Sequence, residues 1–262
     1  MRMKCLALLA AAGLASGGLR AQTSDIPLAI NLPTADQMQF WDIGVVFTHR
    51  FITPVKGHGK DLYGLDGLAY AGFGFHFGIK PIKGLNLEIY RTADNKTFTF
   101  TLHQQVLDRS FIRMAARLQR FDESVTEKVT PLGTVGISGT AFQLPTEFYL
   151  TDDLVLTLVP TWLSRTTSQE KAVFTGGAGL RYDFSDKFRV LVEYYPRPSK
   201  LAKTFDTGFA AGISYKTFKH RFTLVGTNST GTTPNQVLGG DYGGGPRPKG
   251  DWSLAFNVAR VF

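Results

Sequence analysis

Strict alternation of apolar and polar residues, repeated along nearly the whole chain, most narrows what this sequence can fold into. In "WDIGVVFTHRF" the residues Trp41, Ile43, Val45, Phe47 and Phe51 share one parity, and Asp42, Gly44, Thr48 and Arg50 take the other. "AYAGFGFHFGIK" sends Ala69, Ala71, Phe73, Phe75, Phe77 and Ile79 one way, with Tyr70, Gly72, Gly74, His76 and Lys80 opposite. Period two is the signature of a strand whose two faces meet different surroundings. "LNLEIY", "TFTFTLHQQV" and "SFIRMAARLQR" repeat it, and further strands read near 142–150, 154–163, 172–184, 188–195, 205–216, 220–228 and 251–262. The total is about twelve, an even number within the range of single-chain outer-membrane barrels. The strand at 154–163 is the least clean, because Val155 and Val159 fall on its polar parity.

The connections carry a second rhythm. Short turns follow every other strand: "KPIKG" at 80–84, "LDRS" at 107–110, "TDD" at 151–153, "SDK" at 185–187 and "KTFKH" at 216–220. The links between them are mostly longer, at 53–67, in the ten or so residues after Phe121, and at 164–171, 196–204 and 229–250, with "TADN" at 92–95 as a short exception. Short turns on one rim and long loops on the other is the layout of a transmembrane barrel with both termini on the periplasmic side. A soluble sandwich has no reason for it.

The beginning of the chain fits export. A basic head, Met1 to Lys4, precedes the apolar run "CLALLAAAGLA" and small residues up to Ala21–Gln22, which reads as a signal peptide over 1–22. The one cysteine, Cys5, lies inside it, so disulfides and a thiolate metal site are not expected in the mature chain. The signal also removes three basic residues and no acidic one, so the surplus of 29 Lys+Arg over 21 Asp+Glu falls to five. A surplus of that size suits anionic headgroups better than nucleic acid. No later run is long and apolar enough for a membrane helix.

Aromatic residues gather where strands would cross the membrane boundaries: Trp41, Phe184, Tyr215 and Phe262 near one rim, Phe51, Trp162 and Trp252 near the other. In the last strand Trp252, Leu254, Phe256, Val258 and Phe262 share the apolar side, so Phe256, Val258 and Phe262 are expected to serve as a signal to the barrel-assembly machinery. Arg91 and Arg120, on the lipid-facing parity, could meet lipid phosphates or stand solvated at the rim.

Several stretches together resemble a known group: "INLPTADQMQFWDIGVVFTHRF", "LYGLDGLAYAGFGFHFGI", "LEIYRTADNKTFTF", "LVPTW", "VEYYPR", "FTLVGTNSTGTTPNQVLGG" and "DWSLAFNVARVF". They are similar to a bacterial outer-membrane β-barrel family, the domain of unknown function 5777. The resemblance runs over roughly residues 30 to 262, and "TNS-x-GTT-x-x-Q" with the aromatic-ended last strand is its most specific part. It implies an outer-membrane location and brings no substrate or catalytic residue with it.

The inward parity holds the functional candidates. At mid-strand depth it places His76, Glu88, His103, Arg113, Arg117, Gln119 and Glu193, as a lumen that contacts solute. Arginines there would favour small anionic solutes; the competing reading is a set of charges that neutralise one another. Glycine-rich "GGAGLR" and "GTVGISG" sit in strands with no helix behind them, so close strand packing explains them better than phosphate binding. The histidines show no metal-pair spacing, and no Gly-x-Ser-x-Gly elbow supports a hydrolase with His103 or His76 as base. No catalytic residue, cofactor or metal is assigned.

The expectation is an all-β protein: a signal peptide at 1–22, a periplasmic N-terminal segment at 23–39 and an antiparallel outer-membrane barrel at 40–262, in a Gram-negative envelope. Its expected role is a porin-like narrow channel or solute-binding pore with a mildly cationic lumen. The alternatives are a closed structural or docking barrel working through its outer loops and, behind it, a membrane-embedded lipid hydrolase. Whether the 229–250 loop folds inward, and the oligomeric state, stay open.

Overall fold

The computed structural model describes residues 25–55, 59–79, 82–126, 134–166, 171–196, 207–239 and 250–262; the signal peptide expected at 1–22 lies outside them. The strands are β1 (Ile43–Phe51), β2 (Ala69–Gly78), β3 (Leu85–Thr92), β4 (Phe98–Asp108), β5 (Ile112–Thr126), β6 (Thr134–Gln143), β7 (Thr146–Tyr149), β8 (Leu154–Leu163), β9 (Val173–Asp183), β10 (Phe188–Tyr195), β11 (Gly208–Lys216), β12 (His220–Thr227) and β13 (Ser253–Val261). Neighbouring strands pair antiparallel, and β13 returns to pair with β1, with Gly44 opposite Val261. Closure leaves no strand edge facing lipid, which a sheet in a bilayer requires.

β6 and β7 are two halves of one wall strand, since both lie between β5 and β8. The break falls at Leu144–Pro145, where proline has no N–H to give the ladder. Pro145 still accepts from Ala115 N at 3.0 Å, and Leu144 N donates to Pro160 O at 3.1 Å. The wall therefore has twelve strands, all antiparallel.

Of the stretch after Phe121, expected as a loop, residues 122–126 are ladder instead, and 127–133 lie outside the described residues. β5 continues to Thr126 and β6 starts at Thr134, with Asp122 opposite Ser138 and Glu123 opposite Ile137. Cross-strand pairing continues and alternation persists through Asp122 and Glu123: Phe121 and Glu123 are buried, and Asp122 is exposed.

The two faces separate as the alternation requires. Phe73 and Phe75 point outward beside Gly72, Gly74 and His76, which are buried. Outward apolar residues such as Phe100, Leu118, Leu180, Ile213 and Leu224 keep roughly half their surface exposed, which suits contact with lipid tails rather than a second sheet. At the short-turn rim Phe184, Phe188 and Tyr215 stack in series, with ring centroids 6.1 and 4.7 Å apart.

The lumen is filled, and by two segments. Residues 25–39 turn back into it from the short-turn rim, and residues 229–239 enter from the long-loop rim. Both carry apolar side chains to the centre, where Ile30, Leu32, Val237 and Leu238 pack on Val159, Leu191, Tyr195 and Val225 of the wall. Burial of four such side chains contributes about 1.5–3 kcal/mol each, before the entropy of ordering the segments is set against it. Val159, which broke the alternation of its strand, is fully buried beneath them.

Candidate functional site

The lower segment is written between two prolines, Pro27 and Pro33. Their missing N–H groups and fixed φ favour a compact turn over a further strand. Within it Ala29 N donates to Leu32 O at 2.9 Å and Thr34 N to Pro27 O at 3.2 Å. Several of its remaining backbone groups are bound by wall side chains. Glu193, in mid-β10, accepts the N–H groups of Ile30 (2.7 Å), Asn31 (2.9 Å) and Leu32, and also the hydroxyl of Tyr195. Three successive N–H groups aimed at one carboxylate form an anion-binding nest, here closed on the wall's own anion. Asn257 donates to Ile30 O at 2.9 Å, and Arg50 donates to Asn31 Oδ1 at 2.8 Å and to Asn257 Oδ1 at 2.7 Å. Further along, Ala35 N donates to Glu147 at 3.2 Å, Gln105 donates to Ala35 O at 2.9 Å, and Asn86 receives Met38 N at 3.2 Å.

Ion pairs tie down both ends of this segment. Asp36 meets Arg113 at 3.1 Å, and Asp25 meets Arg221 at 2.8 Å and Arg189 at 3.8 Å. Burial alone would raise the Asp25 carboxyl, but Arg221, Arg189 and Lys216 outweigh it and hold the group below its ordinary value. The segment at 23–39, expected in the periplasm, is from Asp25 onward a lumen element.

The upper segment ends in a short helix, Pro234–Val237, with a Thr233–Gln236 capping box. Glu123 accepts from Asn235, and at 3.1 Å from Thr97; Gln236 donates to Thr97 Oγ1 at 3.0 Å. Thr232 accepts from the Tyr90 hydroxyl at 2.9 Å. Asp94, in the turn between β3 and β4, is buried beside Glu123, and burial together with that neighbour pushes its carboxyl up to about 7.

The predicted lumen residues divide into groups. His76, Glu88, His103, Arg117 and Gln119 occupy facing positions on β2 to β5. Arg117 meets Glu88 at 2.8 Å, His76 stands 3.7 Å from the same carboxylate, and Gln119 donates to Thr101 at 3.0 Å. Arg113 is apart from them, at the short-turn rim on Asp36 and Asp108, and Glu193 lies on β10 against the lower segment. Phe256, Val258 and Phe262 keep the outward parity, and Phe262 N donates to Ile43 O at 2.9 Å as the barrel closes. Arg91 donates to Lys96 O at 3.2 Å, and Arg120 lies 3.5 Å from Asp122, both exposed.

Small spaces of about 30 and 20 Å³ lie beside the inserted segments, the first lined by His76, Glu88, Arg117 and Gln119. A vestibule of about 530 Å³ opens at the short-turn rim, with Asp25, Asp36, Arg113, Arg181 and Arg189 in its lining. The sequence reading missed Asn86 and Asn257 as holders of the lower segment. A signal for that segment existed in "PLAINLP", an apolar core between prolines ahead of the first strand, and in the inward-facing Val159.

Solved structures with a similar fold are outer-membrane porins and channels. A KdgM porin aligns with TM-score 0.52 at 12% identity, covering 84% of this chain and 99% of the porin. The KdgM porin in complex with disordered oligogalacturonate aligns with TM-score 0.50 at 12% identity and the same coverage. An outer membrane channel from Pseudomonas putida F1 aligns at TM-score 0.48 and 14% identity, covering 93% of this chain and all of the channel. No curated protein sequence matches. The closed twelve-stranded wall with its apolar outer face agrees with the family model that matches residues 27–119 and 141–262: this chain belongs to the membrane-bound β-barrel domain family DUF5777.

Proposed function

We propose that this protein is a small channel of a Gram-negative outer membrane, closed at rest by its own residues 25–39 and 229–239. The observation that carries this reading is how the lower segment is held. It forms no ladder with the wall and is gripped by side chains, Glu193, Arg50, Asn257, Glu147, Asn86 and Arg113, through hydrogen bonds and ion pairs that water or a polar solute can replace. With that segment out, the lumen presents Arg50, Arg113, Arg189 and Arg221 toward solute, a mildly cationic passage. The closed docking barrel is the second reading, and the filled centre of the lumen is what favours it. The hydrolase reading gains nothing from the geometry, since His76 is engaged by Glu88 beside Arg117.

The deciding experiment is ionic current across a planar bilayer containing the refolded mature chain, compared with a variant that lacks residues 25–38. Silence from the full chain and discrete, anion-leaning steps from the variant are expected. A variant that refolds and stays silent overturns the channel reading in favour of the docking barrel.

A further inference from the structure

The charges of the lower segment are one-sided. Between Asp25 and Gln39 it carries Asp25 and Asp36 and no Lys or Arg. Both aspartates go to arginines at the short-turn mouth: Asp25 to Arg221 and Arg189, Asp36 to Arg113. The wall's own carboxylates there are already committed. Asp183 bridges Arg181 at 3.2 Å and Arg189 at 2.9 Å, Glu147 faces Arg181 at 3.6 Å, and Asp108 holds Arg113 at 2.9 Å.

The segment supplies two of the carboxylates that pair with arginines at this mouth. Four arginines (113, 181, 189 and 221) face three wall carboxylates (108, 147 and 183), and the segment adds two more. Departure of the segment takes two negative charges away from these arginines. Departure also strips Arg221 of its 2.8 Å ion pair with Asp25, leaving the guanidinium without that counter-charge unless another anion arrives. Guanidinium groups that take two separate carboxylates of the segment can take the carboxylates of a solute in their place.

We propose that Arg113, Arg189 and Arg221 form a carboxylate-binding site, that Asp25 and Asp36 occupy it as an internal competitor, and that soluble dicarboxylates release the segment by taking their place. This rests on the closed-channel reading for its consequence, solute passage, but not for the binding itself. The vestibule of about 530 Å³ gives a small dicarboxylate its approach, and the binding free energy it gains at the arginines is what shifts the segment's population outward.

The test uses the mature chain, whose natural cysteine, Cys5, falls within the expected signal peptide. Thr34→Cys places a near-isosteric thiol on the buried stretch of the segment, where Thr34 is 5% exposed. Labelling by a membrane-impermeant maleimide is followed in lipid vesicles with glutarate, or with glucose at equal ionic strength, and current is recorded on the same proteins. Glutarate is expected to speed labelling about tenfold, as a population shift of that size requires, and glucose is not. Combining Asp25→Asn with Asp36→Asn is expected to give fast labelling and current with no glutarate present. If glutarate leaves labelling unchanged while the Asn variant labels fast and conducts, the competitor inference is overturned and the channel stands. If the Asn variant stays as protected as its parent, the inference is likewise overturned. If glutarate speeds labelling but neither protein conducts, the carboxylate site stands and the channel reading falls.

Discussion

Leu32 fills the space that a side chain on Gly177 would need: its Cδ2 methyl lies 2.5 Å from where a Cβ there would stand. Leu238 Cδ2 lies 3.2 Å from the same point, so both inserted segments meet the wall at one glycine of β9. That glycine belongs to "GGAGLR", and close approach is what it is used for.

Gly177→Val should therefore unseat the lumen segments while leaving the wall intact. Overpacking a filled site costs about 1–3 kcal/mol, enough to raise the open population about fivefold or more. In the Thr34→Cys background, maleimide labelling of folded protein should accelerate accordingly. Unchanged protection would mean that Leu32 does not sit on Gly177.

Glu193→Gln keeps the size of the side chain and removes its charge. The N–H groups of Ile30, Asn31 and Leu32 then lose an ionised acceptor, a difference of roughly 1.5–3 kcal/mol across a charge-assisted set. Hydrogen exchange read by mass spectrometry should show faster exchange in the peptide holding residues 28–34, with strand peptides unchanged. Equal exchange in both proteins would remove Glu193 as the clamp.

Arg113 and Arg117 should part company. In the variant lacking residues 25–38, Arg113→Ala is expected to lower anion preference, because Asp36 no longer covers that guanidinium. Arg117→Ala instead strands Glu88, a mostly buried carboxylate, and should destabilise the barrel by about 3–5 kcal/mol with less effect on selectivity. Reversal potentials in a salt gradient and urea refolding midpoints separate the two effects; the reverse pattern would relocate the solute path.

Phe75 lies on the outward face near the middle of β2, between Phe73 and Phe77, with the ring of Phe73 4.9 Å away. Phe75→Arg should cost about 2–4 kcal/mol of folding into a bilayer, the depth-dependent penalty for arginine on a lipid-facing wall. Wild-type stability in lipid would overturn the assignment of faces.

Asp94 supplies a pH dependence with a definite sign. Burial and the neighbouring Glu123 push its carboxyl up to about 7 in the folded protein, above its ordinary value of 3.8, so the folded state holds the extra proton between those values. Stability of the turn and of the upper segment packed on it is therefore greatest in acid, and falls as pH rises from about 4 through 7. Protease nicking of the upper segment should increase from pH 5 to pH 8, and Asp94→Asn should flatten the profile. A profile that rises toward acid, or survives the substitution, would contradict the burial of Asp94 beside Glu123.

The barrel wall was legible because its causes are local. Alternation such as Phe73, Phe75 and Phe77 against Gly74 and His76 places each side chain by its parity, and turn lengths order the rims. Pairing of neighbours then brings His76 opposite Glu88 and His103 opposite Arg117. In the wall, residues 122–126 read as loop and are ladder, where pairing with β6 continues.

What fills the lumen was decided by tertiary structure. Glu193 meets Ile30 across 163 positions of chain, and Asn235 meets Glu123 across 112. No window of sequence contains both partners, and a carboxylate that will grip a turn reads the same as one that will face water. Period two determines which way a side chain points, and so this sequence alone determined a membrane-type barrel with a polar-leaning interior. Whether that interior holds water or the protein's own chain depends on the fit of Leu32 and Leu238 over Gly177, a contact among three distant segments that exists only once the barrel has closed.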